Sequence, residues 1–134
     1  MRSVHTVQRI EAATIVLLSV VAVVAVYPRW WWVILAAFLV FDLSMLGYVR
    51  SPAAGAVSYN AVHNYVWPAV LALFALVAAS ASPTFSTFAG VLACAWAFHV
   101  GVDRALGFGL KLPDAFTHTH LGRIGRRGEG RDRR

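Results

Sequence analysis

Long, nearly uninterrupted apolar stretches limit this chain more than any other feature does. Four stand out: Ala12 to Val26, Trp30 to Phe41 continuing past Asp42 to Val49, Ala61 to Ala79, and Phe85 to Val102. A helix that crosses a bilayer needs about 17–25 mostly apolar residues, and each stretch reaches or approaches that length with its flanks. Charged residues fill 13% of the 134 positions, about half the share usual in soluble domains. The expected fold is all-α: one domain over residues 1–121, built as a bundle of four transmembrane helices. Arg2 and Arg9 ahead of the first stretch are the flanks of a secretory signal. However, "VVAVVAVYPRWWW" offers no small-x-small cleavage site, so the stretch reads as a retained span. The single cysteine, Cys94, falls inside the fourth stretch and reads as a buried thiol.

The connections are short. "YPR" joins the first two helices, and Trp30, Trp31 and Trp32 behind it suit an interfacial aromatic belt. "RSPAAGAVS", Arg50 to Ser58, reads as the link between the second and third helices, with Pro52 and Gly55 favouring a turn. "SASPT" joins the third and fourth, and Pro83 suits a first helical turn. Of the 12 Lys and Arg, only Arg29 lies in the two outer loops; the rest sit at the termini or at Arg50. The positive-inside rule therefore puts both termini and the middle loop in the cytoplasm. Residues 122–134, "GRIGRRGEGRDRR", are expected to form a disordered basic tail. Beside a membrane, such arginines attract anionic lipid at about 1 kcal/mol each. No aromatic residue is interleaved with them, so membrane lipids are the expected partner and nucleic acid is not.

With this topology the ionisable residues fall in one layer. Glu11 opens the first helix, and Asp42 lies two turns before the second one ends. Asn60, His63 and Asn64 occupy the first turns of the third helix, and His99 and Asp103 the last turns of the fourth. At about 1.5 Å rise per residue, all lie within about 12 Å of the cytoplasmic boundary. Ionisable groups inside a span are costly and usually mark function. His99 and Asp103 are i, i+4 and Asn60 and His63 are i, i+3, so each pair shares a helix face. Imidazoles and carboxylates converging from several helices make a metal site, and this donor set suits zinc, iron or manganese. The candidate metal ligands are Asp42, His63, His99, Asp103 and His120. Glu11, Asp42 and Asp103 are the candidate catalytic carboxylates, and Asn60, Arg104 and Lys111 the candidate substrate-binding residues. Each has a structural alternative: an interfacial acid at Glu11, interhelical hydrogen bonding at His63, a His99–Asp103 pair oriented by Arg104, or packing at Asn60. Beyond the last helix, Gly107, Gly109 and Pro113 lead into a short segment, amphipathic or re-entrant. It either closes over the layer with His118 or His120 or lies along the membrane as a tail.

"FDLSMLGY", "YNAVHN", "GVDRALGFGLK" and "THLG", in this order, resemble a family of small bacterial integral membrane proteins catalogued as a domain of unknown function, family 4260. The resemblance implies a four-helix protein of the bacterial inner membrane with signature polar residues at Glu11, Asp42, Asn60, His63, Asp103 and His120. It implies no reaction. A looser likeness, of residue types rather than motif, links the pattern to small membrane-bound metal-dependent hydrolases. Three functions fit the residues: a metal-dependent membrane hydrolase acting on a lipid or amphipathic substrate, a proton-coupled carrier, and a non-catalytic subunit or assembly factor. The last would pair with a membrane protein partner or a second copy of the chain.

Overall fold

The computed structural model describes residues 2–124. It contains α1 (Arg2–Val26), α2 (Val33–Ala36) running on into a 3-10 helix (Phe38–Val49), α3 (Pro52–Val62), α4 (Val66–Ala78), α5 (Pro83–Leu106), and two short strands, β1 (His118–Thr119) and β2 (Gly122–Arg123). These build four helical segments long and apolar enough to cross a membrane: Val4–Val26, Pro28–Val49, Pro52–Ala78 and Pro83–Leu106. The expected all-α four-helix class is therefore found.

The fourth segment is the hub. In its most apolar window 44% of residues are buried, against 11–17% in the other three. Its buried positions are mostly small, including Ala89, Gly90, Ala93, Ala95 and Gly101. Large residues such as Leu17, Leu39, Leu73 and Phe88 face outward. This arrangement is what a bilayer would demand: outward apolar chains would meet lipid, and small inward ones let backbones approach. A Cβ added at Gly101 would lie 2.9 Å from Val16 Cγ2 and 3.2 Å from the Ala12 carbonyl. Gly101 thus sets the close approach of α5 to α1.

The second segment departs from an ordinary α-helix. Over Phe38–Val49 it winds with three residues per turn, tighter and longer than most 3-10 helices. Side chains three apart then eclipse, and three rows result, one of them running through Leu39, Asp42, Met45 and Tyr48. Val40, Leu43, Leu46 and Val49 are exposed. Phe38 and Phe41 pack on His99, while the Ser44 carbonyl takes the Ser58 hydroxyl at 2.7 Å. A Cβ at Gly47 would strike the Ser58 hydroxyl, so that stripe has to be narrow at this point.

The sequence reading of Arg50–Ser58 as a link is corrected. Only Arg50 and Ser51 connect the segments, because Ser51 caps α3 by accepting from the Ala54 amide at 3.1 Å and Pro52 takes a first-turn position. Asn60 and His63 accordingly end a helix rather than begin one. The expected amphipathic or re-entrant segment forms a small hairpin. Gly107 ends α5 in the left-handed region at φ 100°, and Lys111 bridges Thr119, which in turn belongs to the β1–β2 pair. Gly122 and Arg123 are part of that pair, so the hairpin extends past residue 121. The remainder of the expected disordered tail, from 125 onward, lies outside the described residues.

Packing at Gly101 yields a stability prediction. Gly101→Leu should destabilise the detergent-solubilised protein by about 1–3 kcal/mol, whereas Leu46→Ala on the outward stripe should stay within about 0.5 kcal/mol. Thermal unfolding followed by circular dichroism checks both, and equal losses would contradict the packing described.

Candidate metal centre

The site begins with a break in the third segment. Pro68 has no amide to offer the Asn64 carbonyl and is tolerated in a first helical turn, so the chain stops at Val62 and restarts at Val66. Breaking a helix inside an apolar segment frees carbonyls, and within a bilayer these would find no water to bond. Side chains take them up instead. Asn64 Nδ2 donates to the Asn60 and Ala61 carbonyls at 3.0 and 2.8 Å, and Trp67 Nε1 also reaches Ala61, at 2.8 Å. Trp96 Nε1 donates to the Val62 carbonyl at 2.8 Å and Arg104 Nη2 to that of His63 at 3.1 Å. His63 is the residue left at the break, with its ring driven into the bundle and 1% exposed.

Around it stand His99 and Asp103 from α5 and Asp42 from the 3-10 helix; one donor atom from each of the four lies within 4.8 Å of all the others. His63 Nε2 and His99 Nε2 are 2.9 Å apart. Asp42 Oδ1 is 3.5 Å from His63 Nε2 and 3.6 Å from His99 Nε2. Asp103 Oδ2 is 3.5 and 4.0 Å from the same two atoms. The four carboxylate distances exceed N–H···O hydrogen-bond lengths of about 2.7–3.2 Å. Three of them, at 3.5–3.6 Å, match the edges of a tetrahedral shell, since an ion with bonds of about 2.0–2.2 Å sets its ligands about 3.3–3.6 Å apart. The 4.0 Å Asp103–His99 spacing is longer, and the 2.9 Å between the two Nε2 atoms is a hydrogen-bond length.

Neighbouring groups orient these donors. His63 Nδ1 lies 3.0 Å from the Tyr59 carbonyl, an acceptor only, so it carries the proton and leaves the Nε2 lone pair facing the centre. Ser44 Oγ is 3.4 Å from the same nitrogen. The Tyr59 ring stacks on His63 at 3.7 Å, and its hydroxyl donates to Asp103 Oδ2 at 2.9 Å. The His99 ring is completely buried between Phe38 and Phe41, and its Nδ1 has no hydrogen-bond partner among the described residues. Asp42 is the most open of the four, with 28% of its side chain exposed against 16% for Asp103.

The other residues singled out from the sequence lie around this cluster or apart from it. Asn60 holds the hairpin: its Oδ1 accepts from the Lys111 amide at 2.7 Å and its Nδ2 donates to the Lys111 carbonyl at 2.9 Å. Lys111 is 3% exposed, and its ammonium lies 4.0 Å from the Phe116 ring centre and 5.0 Å from that of Tyr59. Burial pushes its pKa below the ordinary lysine range. His120 is not brought to the cluster; its Nδ1 accepts from the Leu110 amide at 2.9 Å. Burial and the Arg104 charge lower its pKa. Glu11 also lies outside the cluster, in a cleft shared with Arg104 and His120. His118 pairs with Asp114 at 2.7 Å, and that hydrogen bond pulls the Asp114 pKa down. Sequence reasoning missed Tyr59, Ser44, Trp67 and Trp96. Tyr59 alone left a signal, one helical turn before His63.

Two outcomes follow from the hairpin's attachments. Asn60→Ala strips two backbone groups of their partner and should weaken docking by about 1–3 kcal/mol, read as faster tryptic cleavage after Lys111. The lowered His120 pKa means the fold prefers neutral imidazole, so its contribution is present above about pH 6.5 and is lost as pH falls below that value. Hydrogen exchange of the Leu110 amide, corrected for intrinsic rate, should therefore accelerate between about pH 7.5 and 5.5 in wild type, and a flat profile would contradict this.

The sequence matches the family model described as Domain of unknown function (DUF4260) over residues 5–124. No curated protein and no solved structure matches it.

Proposed function

The chain belongs to the DUF4260 family, and from its His/Asp cluster we propose that it is a metal-dependent hydrolase embedded in a membrane, acting on a lipid or amphipathic substrate. One observation carries the reading: donor atoms of four residues, contributed by three separate helical segments, converge within 4.8 Å of one another. The 3.5–4.0 Å carboxylate–imidazole spacings are too long for hydrogen bonds and leave room for an ion beside the 2.9 Å His63–His99 contact. Two nitrogens and two oxygens suit zinc, iron or manganese. Held by these residues, an ion would supply Lewis-acid polarisation of an ester oxygen and a lowered pKa for water.

The protein's own groups supply the rest. His63 is locked in the ligating tautomer by the Tyr59 carbonyl, and Asp103 is held by the Tyr59 hydroxyl. With His63, His99 and Asp103 holding the ion, Asp42, the most exposed member, would be the ligand to give way to water, and its carboxylate would then be placed to take a proton from that water. Phe38, Phe41 and Trp96 keep the inner side dry. The basic residues at the termini and Arg50 support an orientation with this end of the bundle toward the cytoplasm.

Purified protein dialysed against zinc, manganese or ferrous iron should retain about one equivalent of one of them by inductively coupled plasma mass spectrometry. His63→Gln and Asp103→Asn should each fall below about a tenth of an equivalent, since loss of one inner ligand commonly costs well over the 10–100-fold of an outer one. No retention by wild type would remove the metal reading. Retention without chelator-sensitive cleavage of phospholipid vesicles would remove the hydrolase reading and leave a metal centre.

A further inference from the structure

A second polar site lies on the other side of α5, between α1 and the hairpin. It is a cleft of about 270 Å³ lined by Gln8, Glu11, Asn64, Tyr65, Arg104 and His120, with Ala12, Ile15 and Leu121 as its apolar floor. None of the four residues of the metal cluster lines it. We propose that this cleft binds a phosphate ester bearing a primary amine, the headgroup chemistry of an aminophospholipid.

Both ends of such a zwitterion have a counterpart. Among the described residues Glu11 enters no ion pair, with Arg104 or any other cation, although Arg104 lines the same cleft, and its carboxylate can face an ammonium group. Arg104 uses one Nη2 bond on the His63 carbonyl, and a guanidinium carries five N–H donors. Its remaining donors suit a phosphate oxygen. His120 adds another: because its Nδ1 accepts from the Leu110 amide, its proton sits on Nε2, for which the described residues provide no partner. Opposite charges set apart across one small cleft select a ligand that is itself dipolar; a simple anion would be repelled by Glu11. The volume lies just below the roughly 300–1,000 Å³ of ligand pockets, the right scale for a headgroup rather than a whole lipid. Ile15 and Tyr65 of the cleft also line an apolar groove that runs on past Leu18, Ala22 and Pro68, so acyl chains can continue along it.

The test is competition among headgroups. Detergent-purified protein is mixed with equal amounts of phosphatidylethanolamine, phosphatidylcholine and phosphatidylglycerol of one acyl composition, and bound lipid is counted by native mass spectrometry. Phosphatidylethanolamine adducts should exceed each of the others by about fivefold or more, because choline offers no N–H to Glu11 and glycerol no cation. Glu11→Gln should abolish that preference while leaving the metal content unchanged, which separates failure here from failure of the metal centre. His120→Ala should weaken phosphatidylethanolamine binding about threefold and keep the order of preference. Displacement by excess free O-phosphoethanolamine would place recognition in the headgroup alone. Failure to displace would assign the acyl chains a share, and both results support the site. Equal retention of all three lipids by wild type, or an undiminished preference in Glu11→Gln, would overturn it.

Discussion

The architecture depends on a helix that stops inside an apolar segment. Pro68 prevents α3 and α4 from forming one continuous helix, and the carbonyls of residues 60–63 must then bond to something other than water. Asn64, Trp67, Trp96 and Arg104 accept that duty. Two of these donors, Trp96 and Arg104, come from α5. The repair of the break therefore also fastens the third segment to the central helix, and it aims His63 at His99. Without the break His63 would follow the helical stagger of its neighbours rather than take the non-helical backbone angles, φ −87° and ψ 51°, found at this position.

The tight winding of the second segment is the matching half of the design. Three residues per turn line up Phe38, Phe41 and Ser44 on one face and Val40, Leu43, Leu46 and Val49 on another. A 3.6-residue helix would smear both stripes. With the inner stripe aligned, aromatic rings enclose His99, and from the adjoining row Asp42 reaches both imidazole Nε2 atoms at nearly equal distance. The cluster draws one residue from the tight helix, one from the broken helix and two from an ordinary α-helix. Its spacing is thus the product of three different backbone geometries.

Two polar regions then share one end of the bundle. Asp103 turns toward the His/Asp cluster, while Arg104, the next residue, reaches the His63 carbonyl and lines the cleft on the far side. Consecutive residues of a helix point about 100° apart, so α5 serves both regions without any irregularity of its own. The hairpin closes the same end through Asn60 and through the His120–Leu110 bond.

What the amino-acid sequence determined by itself was the four apolar segments, the α5 pair at i, i+4, and the gathering of Asp42, His63, His99 and Asp103 toward one end. Segment length, helical period and hydropathy are local quantities, and they can be counted along the chain. Tertiary structure alone decided that α3 begins at Pro52, that His120 and Glu11 lie apart from the cluster, and that Tyr59 and Trp96 support it. Pro52 reads equally as a turn or a first helical turn until Ser51 caps it and Tyr48 packs over Gly55. Trp96 is one more apolar residue until a carbonyl more than thirty positions away needs its N–H. Those choices depend on which buried polar groups are left without water, and that is known only once the segments have packed.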